Sequence, residues 1–160
     1  MRNHRVHTFR PWICLLALSL VVVAQAPAAE PPGRKLEARL LWGTDDAKSP
    51  DPSHKPLDGT LAKKIKSMPL KYKNYFEVNR LSFAINDKDY TKVEMSKQCY
   101  IEVKKTGESN VEVILYGKGK MVKRVDSSLS KGETVILGGD DKNGTAWLVV
   151  VNPLEPPKTK

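Results

Sequence analysis

The sequence predicts an all-β fold, a β-sandwich or partly open barrel of about seven to eight short antiparallel strands with one short helix. Three observations carry this. The stretch Glu133–Asn152 holds two β-branched and aliphatic runs, Thr134–Leu137 and Ala146–Val151, around a loop rich in Gly, Asp and Asn; that is an antiparallel hairpin pattern. From Leu70 onward apolar residues alternate with polar ones, and turn signals recur about every ten residues. Only one short segment has helical spacing.

Ahead of this domain lies export chemistry. Met1–Pro11 carries Arg2, Arg5 and Arg10 and no acid, Trp12–Val23 is apolar, and Ala24–Ala29 is rich in small residues. That order predicts a cleaved secretory signal peptide over residues 1–28. A cut after Ala28 uses Ala26 and Ala28 as the small pair; cuts after Ala26 or Ala29 stay open. The apolar run is shorter than the roughly 20 residues that span a bilayer, so no stable transmembrane anchor is expected. Cys14 follows Pro11-Trp12-Ile13 rather than small residues, which argues against lipidation. The expected product is exported, periplasmic or extracellular.

The mature chain divides into a flexible lead (29–35), a single domain (36–152) and a polar, Pro-rich tail (153–160). Leu36–Gly43 alternates, with Leu36, Ala38, Leu40 and Trp42 on one side, and makes a first strand. Thr44–Gly59 collects Asp, Pro and Gly and reads as a long surface loop. Thr60–Met68 places Leu61, Ile65 and Met68 on one helical face, with Asp58 or Thr60 as cap and Pro69 as stop. In Lys73–Ile85 the apolar phase switches near Asn79-Arg80, which predicts a bulge or a bend between sheets. Further strands follow at Thr91–Met95, Cys99–Val103, Val111–Leu115 and Lys120–Val125, with Met121 and Val125 expected to point inward. Pro153 and the residues after it are expected not to extend the sheet. The nearly unbroken apolar run Ala146–Val151 belongs near the middle of a sheet, buried on both faces. Trp147 and Val149 are therefore assigned to the core, with Trp42 partly buried.

Composition narrows the chemistry. The 27 Lys and Arg exceed the 18 Asp and Glu, a formal charge of +9, and the signal removes three basic residues and no acid. The surplus favours solubility and loose attraction to polyanions. Lys118, Lys120 and Arg124, expected on one strand face, and Lys63 and Lys64 on the helix are the candidate polyanion or partner contacts. Few aromatics lie among them, so no specific nucleic-acid recognition is expected. Cys99 is the single thiol after processing and reads as a buried, inert one. With one cysteine and one histidine, a zinc site lacks ligands. Gly139–Gly144 resembles an oxygen-ligand loop for calcium, but Gly139 and Val150 fall where the anchoring ligands belong. No metal or cofactor is expected. Asn143-Gly144-Thr145 is a formal glycosylation sequon.

Three segments, Leu41–Pro56, Lys73–Val78 and Thr145–Val150, resemble a group of small uncharacterised exported bacterial β-domain proteins. That resemblance implies export and a β-domain and carries no activity. Lys131–Gly139 is similar to a strand-turn segment of outer-membrane secretins.

The functional expectation is an exported, non-enzymatic binding or accessory module of the periplasm or cell envelope, with an envelope protein or polymer as partner. A second expectation is a small hydrolase or hydrolase inhibitor using Asp45, Asp46 and His54; exposed aromatics clustered beside His54 would favour it. A third is a sheet-edge adaptor in a secretion or pilus assembly, working by strand addition, and it requires a long unprotected edge. The export expectation is checked by N-terminal sequencing from the native host. The product should start within a few residues of Ala29, and an intact Met1 start on a membrane-bound product would overturn it.

Overall fold

In the computed structural model the described residues are 33–130, 133–141 and 143–154. The signal expected over 1–28, most of the lead and the end of the tail lie outside the described residues. Among those described, nine strands and one helix follow in the order β1 (Arg34–Thr44), β2 (Lys55–Pro56), α1 (Gly59–Lys66), β3 (Asn74–Ile85), β4 (Thr91–Ser96), β5 (Cys99–Lys105), β6 (Asn110–Gly117), β7 (Lys120–Ser128), β8 (Val135–Asp141) and β9 (Thr145–Pro153). They form a five-stranded sheet, β2-β3-β1-β9-β8, and a four-stranded sheet, β4-β5-β6-β7. Every pairing is antiparallel. The sheets do not close, so the sandwich rather than the barrel is formed.

Alternation decides what fills the space between the sheets. Leu36, Ala38 and Leu40 from β1 meet Val149 and Val151 from β9, Ile101 and Val103 from β5, and Val111, Val113 and Leu115 from β6. Fully burying one such side chain contributes about 1.5–3 kcal/mol. The opposite face of the larger sheet is covered too. Leu41, Leu148 and Val150 point away from the sandwich and pack with Leu61 and Ile65 of α1. This is why β9 is apolar at successive positions, as its sequence predicted: one set of side chains faces the second sheet and the other faces the helix.

The helix begins as expected. The Asp58 carboxylate accepts from the Leu61 N–H at 3.0 Å, satisfying one of the free N–H groups of the first turn. The same carboxylate receives Arg39 and lies 3.6 Å from Arg80. Arg80 also grips Glu77, with Nη2 to Oε2 at 2.8 Å, and Arg39 holds Glu37 at 2.5 Å. Two guanidinium groups and three carboxylates thus tie the helix start to the outer faces of β1 and β3.

Several details depart from the sequence reading. The strand count rises to nine because Lys55-Pro56, inside the expected surface loop, pairs with Phe76 and Glu77. The phase switch in β3, by contrast, is the bulge that was one of the two expected alternatives: Leu40 pairs with Asn79 and Leu41 with Glu77, leaving Val78 as the extra residue. A second bulge, at Val122, turns Met121 outward. Met121 pairs with Tyr116 on the outer face of the smaller sheet and is 61% exposed, whereas Val125 packs on the core as expected. Pro153 does extend the sheet. It pairs with Leu36, and the Leu154 N–H donates to the Lys35 carbonyl. Pairing between β8 and β9 ends at Val151, so a residue without an N–H meets no demand from that side. Arg34 and Lys35, assigned to the lead, belong to β1, where they pair with Ile85 and Ala84 of β3.

Leu129, just after β7, is fully buried. Its N–H donates to the Ser109 carbonyl, and its carbonyl accepts from Arg34. It closes the end of the sandwich where β1 starts and β6 begins.

Asp58 supplies a direct test of the helix anchor. Its carboxyl is held below the usual range by the Leu61 N–H first and the Arg39 guanidinium second. A carboxyl depressed in the folded state stabilises the fold above its unfolded value of about 4, and that contribution is lost as pH falls through the folded value. Asp58→Ala should cost about 1 kcal/mol at neutral pH in urea unfolding. Asp58→Asn keeps a capping oxygen but no charge, so its stability deficit should shrink towards zero as the medium is acidified below about pH 4. A deficit independent of pH would show that the charge adds nothing.

Candidate functional site

The end of the sandwich opposite Leu129 stays open. There the last residues of β1 and the first of β9 run beyond the cover of the smaller sheet, and a cleft of about 370 Å³ forms between them and the β4–β5 and β6–β7 turns. That volume lies within the range of small-molecule sites. Its floor is aromatic. Trp42 on β1 and Trp147 on β9 line it as direct cross-strand partners, and Phe76 on β3 continues the row beside Trp42 outside the cleft lining. Trp42 and Phe76 have ring centroids 6.2 Å apart. Trp147 is half-buried rather than fully buried: it packs against the main core while its indole lies beside Gly117 of the smaller sheet and lines the cleft.

Glycine makes that placement possible. A Cβ on Gly117 would lie 3.2 Å from the Trp147 ring, and one on Gly139, the cross-strand partner of Trp147, would lie 3.8 Å from it. Cys99 forms part of the wall, 6% exposed, and burial pushes its thiol up to about 11. At neutral pH it is a protonated, unreactive group, in line with the inert thiol expected from sequence.

The rim is polar and its charges are matched. Lys118 Nζ lies 3.8 Å from Asp141 Oδ1, and Lys71 Nζ lies 3.1 Å from Asp140 Oδ2. Lys118 itself is unusual. It sits in the two-residue β6–β7 turn with φ of 52°, followed by Gly119 at 76°. A turn of this kind takes Asn or Gly at its first position, since a longer side chain in the left-handed region costs about 1 kcal/mol. The Lys118 N–H donates to the Gln98 carbonyl at 2.7 Å, which locks the two turns of the smaller sheet together over the cleft.

The remaining sequence candidates are dispersed. Lys120 pairs with Gly117 and Arg124 with Ile114, positions of opposite phase on β6, so these two side chains emerge on opposite faces rather than one. The Val122 bulge is the cause. Arg124 is engaged with Glu112, which also accepts from Tyr90. Lys64 reaches Thr134 Oγ1 at 2.5 Å on the helix side of the larger sheet, and Lys63 is exposed there. No single basic surface gathers them.

The Asp45–His54 loop bonds to itself and to the Lys73–Asn74 segment. Asp45 Oδ1 accepts from the Lys73 N–H at 3.2 Å, and Asp46 meets Thr44 Oγ1 at 3.3 Å. His54 turns Nδ1 to Ser49 Oγ at 2.7 Å, while Nε2 lies 3.7 Å from Asp51. Its ring lies 5.8 Å from Trp42. Both nitrogens therefore face partners in their own loop, and the neighbouring aromatics, Trp42 and Phe76, are half-buried rather than exposed. The loop props Trp42 from behind. Among the described residues no three His, Cys, Asp or Glu side chains are grouped as a metal site requires, and no helix is long and apolar enough to cross a membrane.

Sequence reasoning named Lys118 but missed the cleft around it. The usable signal was the pair Trp42 and Trp147, each at the end of an apolar alternation and each followed or preceded by small residues. Comparison of the chain with family models, with curated proteins and with solved structures finds no match.

Lys118→Gly should raise stability by about 0.5–1 kcal/mol, since Gly relieves the left-handed backbone but is freer when unfolded. The exposed pair with Asp141 offsets little of this. Lys118→Ala should show no such gain. Urea unfolding of both variants is the check, and equal stability of the two would remove the strain argument.

Proposed function

We propose that this protein is an exported, non-enzymatic binding module of the periplasm or cell envelope, and that its ligand seats in the cleft at the open end of the sandwich. The observation that carries this reading is the aromatic floor. Trp42 and Trp147 stand side by side where the two sheets part, with space above them, although the same alternation continued by one more pair of covering residues would bury them. Lys118 supports it: a strained residue kept at a cleft mouth is a functional signal rather than a folding one. The basic, apolar and small-residue order of residues 1–28 supports export.

Two features favour binding over the other expectations. The His54 loop spends its hydrogen-bonding groups on its own conformation, leaving the hydrolase reading without a base aimed at a substrate. One edge of the smaller sheet is blunted against strand addition: β7 is bulged at Val122 and carries Lys120, Lys123 and Arg124. Bulges and charges are features that stop an edge from recruiting another strand.

The test is co-sedimentation of the purified protein with the insoluble envelope fraction of its host. Gln98→Arg and Asp141→Arg, both at the rim, should abolish most of the sedimented fraction, while Lys92→Glu on the outer face of the smaller sheet should leave it unchanged. Rim variants that sediment like the wild type would place binding elsewhere.

A further inference from the structure

We infer that the cleft takes an uncharged saccharide, with sugar rings laid against Trp42 and Trp147. This rests on the cleft being the binding site, and it follows from the balance of groups that surround the two rings.

Charge comes first. The rim carries Lys118, Asp140 and Asp141, but each carboxylate has a lysine nearby: Asp141 has Lys118 at 3.8 Å and Asp140 has Lys71 at 3.1 Å. A cationic ligand over the indoles would be attracted by their faces, yet it would have to compete with ammonium groups already placed at both carboxylates. An anionic ligand would meet those carboxylates at the mouth. A neutral ligand disturbs neither pair.

Polarity comes second. The floor is apolar, with Leu40 and Ala146 beside the tryptophans, but Ser96, Gln98 and Thr145 line the sides together with the paired charges. A lipid chain filling the space would strip water from these groups without replacing its hydrogen bonds, a cost of about 1–3 kcal/mol for each group left unpaired. A ligand with one apolar face and a periphery of hydroxyls meets both demands. Its C–H face packs on an indole, and its hydroxyls both donate to carboxylates and accept from the amide, hydroxyl and ammonium donors at the rim. Sugars have that build. Trp42 and Trp147 are cross-strand partners on adjacent strands, whose backbones lie about 4.8 Å apart, so the pair suits consecutive sugar units crossing the strands better than one isolated ring.

The experiment uses the mature protein, with intrinsic tryptophan emission and calorimetry as readouts. The probes are cellohexaose, maltohexaose and chitohexaose as neutral glycans, choline as a cation and heparin as a polyanion. At least one neutral glycan should perturb the emission, bind more tightly as a hexasaccharide than as a disaccharide, and keep its affinity within about two-fold from low to high salt, because no ion pair forms. Asp141→Asn should weaken that binding several-fold without unfolding the protein, and Trp147→Phe should weaken it at least ten-fold; far-ultraviolet circular dichroism verifies that each variant is folded. If the neutral glycans are inert while choline or heparin perturbs the emission in an Asp141-dependent way, the saccharide assignment fails and the cleft remains a binding site. If no probe perturbs the tryptophans and the rim variants also sediment normally with the envelope fraction, both readings fall.

Discussion

The antiparallel pairing of β1 with β9 is the constraint on which the rest depends. These two strands lie inside the five-stranded sheet and carry side chains of the core on one face and of the helix layer on the other. Neither face can be exchanged by a one-residue slip, because both are buried and a slip would move every side chain to the wrong layer. Once that register is set, Trp42 must stand opposite Trp147, and Gly43 opposite both Ala146 and Tyr75. The aromatic floor of the cleft is a consequence of the same register that builds the core.

How much of this was legible in the sequence depends on distance along the chain. The hairpin from Val135 to Pro153 was readable because its turn letters and its β-branched arms are adjacent, and the double burial of β9 was readable because a half-buried strand would have shown polar residues at alternate positions. The helix and its Asp58 cap were local as well. What failed to show was long-range or irregular. Met121 has the right spacing to point inward, but a bulge at Val122 displaces the phase, and nothing in Lys120–Val125 marks it. Leu129 sits among serines and reads as linker, although the Ser109 and Arg34 contacts that bury it come from remote segments. Pro153 looked like a stop because a proline lacks an N–H, yet the position had no carbonyl waiting for one.

The site was less visible than the fold for a related reason. Lys118 was singled out for its charge, in company with Lys120 and Arg124, while its importance lies in its backbone conformation, which composition does not reveal. The His54 loop drew attention because it carries the only histidine outside residues 1–28. In the fold it is a prop: His54 packs on Trp42, Lys55-Pro56 adds a short strand beside Phe76, and Asn74 Nδ2 donates to the Asp45 and Asp46 carbonyls at 3.3 and 2.9 Å. A loop with that many turn residues can be rigid when its polar groups are spent internally, and here the rigidity is placed directly behind one ring of the cleft floor.

The two ends of the sandwich are built differently. At one end, Leu129 fills the gap between the sheets, and its backbone is satisfied by Ser109 and Arg34. At the other, the Trp147 ring takes the room left by Gly117 and Gly139, and no side chain plugs the cleft that Trp42 and Trp147 line. A packed plug would contribute the burial of one more apolar residue, about 1.5–3 kcal/mol. The chain instead leaves two half-buried indoles and holds a lysine in left-handed backbone over them. Each choice costs folding stability, and both fall at the same end of the same molecule. Stability forgone twice at one place supports the proposal that this end holds a binding site.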